Sequence, residues 1–166
     1  MIFLQLVKNN VDLFESKVST IAYNLGVKPE WLMFCMWFES RFNPAIVNSI
    51  GATGLIQFMP ETAISLGTTC EKLMLMSNIQ QLHYVDLYFN QPMFKFKCFK
   101  DFVDLYCAIF WPAAVGKDDN YRMGGSKVAK CNPLFDVLKD GQITKGGVRI
   151  ALLRQVPDKY KADLIS

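Results

Sequence analysis

The sequence predicts a mainly α domain, and three observations carry the prediction. The dominant hydrophobic period is helical, with apolar residues recurring at three- and four-residue spacing. The run Trp31 to Phe38 is apolar at every position, as a central buried helix is. No clear β alternation appears outside the first seven residues. With 166 residues, 51% hydrophobic and 20% charged, the chain buries enough apolar surface to fold as one ordinary domain.

The elements follow in order. Val11, Phe14, Val18, Ile21, Ala22 and Leu25 form one helical face, and Gly26 stops it. Pro29 opens a second helix that runs through the apolar segment to about Ser40. From Arg41 to Met59 the period is lost, and Asn43-Pro44, Asn48-Ser49, Gly51 and Gly54 are turn chemistry. Pro60 starts a short helix closed by Gly67. Ser77 caps a longer one to about Asn90, with Ile79, Leu82, Val85 and Leu87 among its apolar positions. Phe99 to Trp111 is another buried helix, stopped by Pro112. Gly116 to Ser126 is a polar loop, and a last helix spans about Thr144 to Arg154. The expected organisation is a domain over 1–121 with its motif core at 29–63, and a C-terminal appendage over 122–166.

Composition excludes several classes. No apolar run reaches the ~20 residues that span a bilayer, so no membrane span is expected. The N-terminus has no basic region before its apolar stretch and no small-residue cleavage site, so no secretory signal is expected. The net charge of +3 is mild, and no Arg stripe points to nucleic acid. Lys95, Lys97 and Lys100, interleaved with Phe96 and Phe99, read as a solvated face. Five cysteines at wide spacing and one histidine, His83, give neither a zinc site nor a disulfide framework. The cysteines suit a reducing compartment.

Glu39 is the candidate for chemistry. It ends the most apolar run in the chain, where desolvation raises a carboxyl's pKa. The negative end of the helix dipole acts in the same direction. A carboxylic acid kept protonated near neutral pH is what a general acid requires.

The residues after it narrow the reading. Glu39-Ser40-Arg41-Phe42-Asn43-Pro44, followed by Gly51-Ala52-Thr53-Gly54-Leu55-Ile56-Gln57-Phe58-Met59-Pro60-Glu61-Thr62-Ala63, closely resembles the soluble lytic transglycosylase (SLT) family, related to goose-type lysozyme. Every fixed position of the family pattern is met at its spacing. The resemblance implies a lysozyme-like helical fold with a glycan-binding groove. It implies cleavage of peptidoglycan between N-acetylmuramic acid and N-acetylglucosamine, leaving 1,6-anhydromuramyl ends. Glu39 would be the single acid and base, and the muramyl C6 hydroxyl the nucleophile. No cofactor and no metal are implied, the partner is the glycan strand, and no oligomeric state is fixed. Position by position, the resemblance assigns Ser40 to positioning the acid or contacting substrate, Asn48 to the sugar beside the scissile bond, and Gln57 and Met59 to the groove.

One stretch departs from the family. Where it has Ala-Tyr-Asn-Ala-Gly, this chain has Ala108-Ile-Phe-Trp-Pro-Ala-Ala114 around Phe110 and Trp111. Phe110 cannot donate the hydrogen bond that the family tyrosine gives the acid. Tyr106 or Tyr84 is the expected substitute, and Trp111 is a candidate for stacking on a sugar. A degenerate EF-hand-like pattern begins at Asp136, but Leu138 and Gly147 stand at ligand positions, so a turn is expected. Two other readings stay open: a muramidase using Glu61 or Asp86 as second carboxylate, and an inactive glycan-binding or virion structural module. The context expected is a bacteriophage or virion-associated wall enzyme made in the cytoplasm, or a domain of a longer protein.

Overall fold

The computed structural model describes residues 1–165 and is 56% helical. The mainly α expectation holds. None of its helices is long and apolar enough to cross a membrane, among the described residues. The chain divides into two units, Met1–Phe96 and Lys97–Ser166.

The first unit is built on α1 (Val11–Leu25) and α2 (Pro29–Ser40). Phe14, Val18, Ile21 and Ala22 make the buried stripe of α1, and Gly26 ends it at φ +66° with its N–H on the Ala22 and Tyr23 carbonyls. Pro29 supplies the first turn of α2, and Trp31 to Trp37 are all buried. α1 packs on both α2 and α5 (Asn78–Phe89). The first seven residues form no strand. Phe3 takes a left-handed conformation, a 3-10 turn follows at Leu4–Leu6, and Ile2, Phe3 and Val7 enter the core. The Phe3 ring lies flat on Trp37 with centroids 4.3 Å apart.

The short helices α3 (Pro60–Ser65) and α4 (Cys70–Met74) lead into α5. α4 has no sequence expectation behind it; its length is too short for a period, although Thr69 caps it by accepting from Lys72 N. α5 begins with a full capping box between Ser77 and Gln80. Leu82 and Val85 are buried as expected, together with Gln81 and Tyr88, whereas Ile79 is half-buried and Leu87 is exposed.

The second unit holds α6 (Phe102–Phe110), β1 (Arg122–Met123), α7 (Ser126–Cys131), β2 (Ile143–Thr144), α8 (Lys145–Gln155) and α9 (Asp158–Ile165). β1 and β2 are antiparallel, with Arg122 opposite Thr144 and Met123 opposite Ile143. Two-residue strands leave no alternation to read, so the expected loop at 116–126 hid one. The expected boundary after Tyr121 falls inside this unit, where the Tyr121 carbonyl accepts from Lys145 N at 3.0 Å. At the EF-hand-like turn, the Asp136 carboxylate accepts from Asp140 N and Gly141 N at 3.1 and 3.0 Å, so it caps its own turn.

A buried ion pair fixes α6 to α8. Lys145 Nζ donates to Asp104 Oδ1 and to the Lys117 carbonyl, and the Asp104 carboxylate also accepts from Gly116 N at 2.9 Å and Lys100 N at 3.0 Å. Burial works to raise the Asp104 pKa, but these donors outweigh it and hold the carboxyl below its ordinary value. Its stabilising contribution is therefore present above about pH 4 and is lost as pH falls through the lowered value. Asp104→Ala, which strands a buried ammonium, should cost about 3–5 kcal/mol in chemical denaturation. Asp104→Leu combined with Lys145→Met removes the stranded charge but leaves Lys100 N, Gly116 N and the Lys117 carbonyl without these partners, so it should recover only part of that loss.

Candidate active site

The end of α2 sets the site. Glu39 lies half-buried in its last turn, directly after the buried apolar run. The helix stops because Arg41 and Phe42 both adopt left-handed backbone, at φ +52° and +61°. Two consecutive non-glycine residues there store about 1–3 kcal/mol each. The surroundings hold them. The Arg41 guanidinium lies 3.9 Å over the Trp37 ring and donates to the Trp37 carbonyl. The Phe42 ring is buried and meets Phe14 edge-on at 6.1 Å.

Ser40 is 2% exposed, and its hydroxyl lies 2.9 Å from the carbonyls of both Met36 and Leu55. It ties the helix end to the following loop, as a residue that positions the end of α2 does.

The irregular segment 43–59 folds on itself through short bridges. Val47 pairs with Thr53, and Thr53 pairs with Phe58. Gly54 is required twice over. Its φ is +80°, and a Cβ there would collide with the Gln81 carboxamide. That carboxamide is fully buried. Gln81 Oε1 accepts from Leu55 N at 2.8 Å, and Nε2 donates to the carbonyls of Pro44 and Leu73 at 2.6 and 2.7 Å. One side chain thus satisfies three backbone groups in three segments. Sequence reading missed it; the signal was a polar residue four before Val85 and seven before Tyr88, on the buried face of α5.

The loop presents two carboxamides with complementary chemistry. Asn48 Oδ1 accepts from Ile50 N and Ala52 N, both at 3.0 Å, which leaves its Nδ2 as a donor at an exposed position. Gln57, at φ +54°, donates Nε2 to the Gly54 and Ile46 carbonyls, which leaves Oε1 as an acceptor. Met59 is 43% exposed just before α3. Asn48, Gln57 and Met59 therefore sit on one bridged loop whose position relative to α2 is held through Ser40.

Tyr88 is a second residue that sequence reading missed as a partner of the acid. It is buried among Phe58, Phe89 and Phe94. Its pKa is pushed up to about 12, by burial first and then by the negative charge of Glu39. The acid and this hydroxyl belong to one electrostatic neighbourhood, in the unit that carries the acid. Tyr84, the expected substitute on the same helix, lies half-exposed beside His83 at 5.2 Å.

The other expected contacts lie in the second unit. Tyr106 is 3% exposed, with its ring 6.2 Å from Phe110 and 5.8 Å from Phe135. Phe110 and Phe135 are 4.7 Å apart. Tyr106 is thus a core aromatic of that unit. Trp111 is half-buried, and a Cβ on Gly124 would come within 3.2 Å of its indole.

Residues 17–83 match the family model of the transglycosylase SLT domain. This segment is similar to the soluble lytic transglycosylase family. The match begins inside α1, passes through Glu39 and the bridged loop, and ends inside α5 just past Gln81. No curated protein matches the chain. The family's domain is a lysozyme-like helical fold that cleaves glycosidic bonds in peptidoglycan.

Gln81→Leu should lower stability by about 3 kcal/mol or more, since each stranded buried backbone group costs about 1–3 kcal/mol. The measurement is the denaturation midpoint, with loop amides 44–55 losing hydrogen-exchange protection first. Tyr88 should stay protonated through pH 10 and ionise near 12 in an ultraviolet titration. A raised pKa means its contribution is intact below pH 10 and disappears as pH rises through about 12. Glu39→Gln should move that ionisation downward.

Proposed function

We propose that this domain is a peptidoglycan lytic transglycosylase that cleaves the β-1,4 bond between N-acetylmuramic acid and N-acetylglucosamine, with Glu39 as both acid and base. The observation that carries the reading is the position of Glu39: half-buried at the end of an all-apolar helix, beside a loop that matches the family segment throughout.

The steps balance on one carboxyl. Protonated Glu39 gives its proton to the glycosidic oxygen as the C1–O bond breaks. The carboxylate then takes the proton of the muramyl C6 hydroxyl while O6 bonds to C1. The 1,6-anhydro ring closes, and Glu39 returns protonated without water entering. An acetamido sugar offers a carbonyl acceptor and an N–H donor, which complement Asn48 Nδ2 and Gln57 Oε1. Exposed Met59 adds apolar surface for a sugar face.

Mass spectrometry of products from purified peptidoglycan tests the reading. Anhydromuramyl ends, lighter than reducing ends by one water, are expected. Glu39→Gln, nearly isosteric, should fold normally and lose about 100- to 10,000-fold in rate. Reducing ends would make the enzyme a muramidase instead. An active Glu39→Gln protein would sink the acid–base assignment.

A further inference from the structure

The turn that ends the first unit has no part in that mechanism. Pro92–Phe94 forms a 3-10 turn after α5. Phe94 N donates to the Gln91 carbonyl at 2.9 Å, and Lys95 N donates to the Pro92 carbonyl at 3.2 Å. Phe94 is the inner anchor: it is buried, and its ring meets Tyr88 with centroids 5.9 Å apart. Met93 and Phe96 lie outside, 50% and 93% exposed. Phe96 is the exception in this chain. Every other phenylalanine among the described residues is buried or half-buried.

The charge along this stretch has one sign. From Leu87 to Lys100 the sequence holds Lys95, Lys97 and Lys100 and no acidic residue. Lys95 Nζ lies 5.6 Å from the centre of the Phe96 ring, so a cation and an apolar ring share one tip. Lys95 is exposed and forms no ion pair among the described residues. The acids that flank the stretch are engaged elsewhere: Asp86 accepts from Asn90 Nδ2 at 2.9 Å, and Asp101 pairs with Arg149 at 2.7 Å. A solvated face accounts for the lysines. It does not account for a phenylalanine and a methionine held out beside them on a hydrogen-bonded turn. A bilayer interface accounts for both, because anionic headgroups meet the ammonium groups and the acyl boundary takes the apolar side chains. Single-stranded nucleic acid calls for a groove with several stacking rings, and this turn offers one ring.

We propose that the turn at 92–96 docks on an anionic lipid surface, with Met93 and Phe96 entering the headgroup layer and Lys95 meeting the lipid phosphates. The docking is peripheral, since no helix among the described residues is long and apolar enough to cross a membrane. It needs no cleavage and stands apart from the peptidoglycan reading. Where both hold, the turn keeps a wall-cleaving domain at the membrane side of its substrate.

Co-sedimentation of the whole chain with lipid vesicles is the test. Vesicles of equal parts phosphatidylglycerol and phosphatidylcholine should bind about tenfold more tightly than phosphatidylcholine alone. Phe96→Ser should weaken that binding about tenfold. Phe96→Trp should preserve it, because an indole suits the interface. Lys95→Glu should weaken it about tenfold as well. Both positions are exposed and outside the helices, so the melting temperatures of these variants should match the parent's. Absence of binding, equal binding to both kinds of vesicle, or indifference to Phe96→Ser would overturn the proposal. Phe96-dependent capture of an oligothymidylate strand without vesicle binding would overturn it too, by making the turn a nucleic-acid contact.

Discussion

The Gln81 carboxamide is the constraint on which the site depends. A loop that is neither helix nor sheet leaves backbone groups without partners, and buried ones are costly. The segment 43–59 solves part of this with the Thr53 bridges and the Asn48 turn. Those bonds give the loop a shape but no fixed place on the helices. Gln81 supplies the place. It reaches Pro44 at one end of the loop, Leu55 in the middle and Leu73 at the end of α4. Gly54 is the other half of the same device, because only a residue without Cβ lets that carboxamide come so close.

The strained end of α2 follows from the same arrangement. Ser40 must turn inward to reach Leu55, and the chain must then reverse toward the loop that Gln81 holds. Arg41 and Phe42 absorb the reversal in left-handed backbone. The strain is localised immediately after Glu39. Aromatic packing on both sides, Trp37 under Arg41 and Phe14 against Phe42, meets the cost. The arrangement also separates two chemistries within three residues: a half-buried carboxyl on Glu39, and on Arg41 a cation laid over the Trp37 ring.

The sequence shows some of this directly and hides the rest for identifiable reasons. Helices with a stripe and a stop are legible: α1 through Gly26, α2 through Pro29, α5 through the Ser77 box, α8 through Thr144. Of the elements shorter than two periods, α3 is legible through its Pro60 start and Gly67 stop, whereas α4, α7 and the β1–β2 pair carry no such signal. Glu39 was legible because an acid ends an apolar run. Gln81 and Asp104 carried the same kind of signal, a polar residue on a buried face, yet their partners lie far along the chain and no local pattern names them. The burial of Tyr106 was hidden for the same reason, because the aromatic cluster around it includes Phe135, 29 positions further on.

Glu39 shares its electrostatic surroundings with a buried tyrosine in its own unit, Tyr88, held by Phe58, Phe89 and Phe94. Burial keeps that hydroxyl protonated far above neutrality, so near pH 7 it is always a potential donor and never a competing anion. Phe58, which packs against it, is also the residue that closes the Thr53 bridge. The loop that presents Asn48 and Gln57 and the hydroxyl that neighbours the acid are therefore parts of one packed assembly.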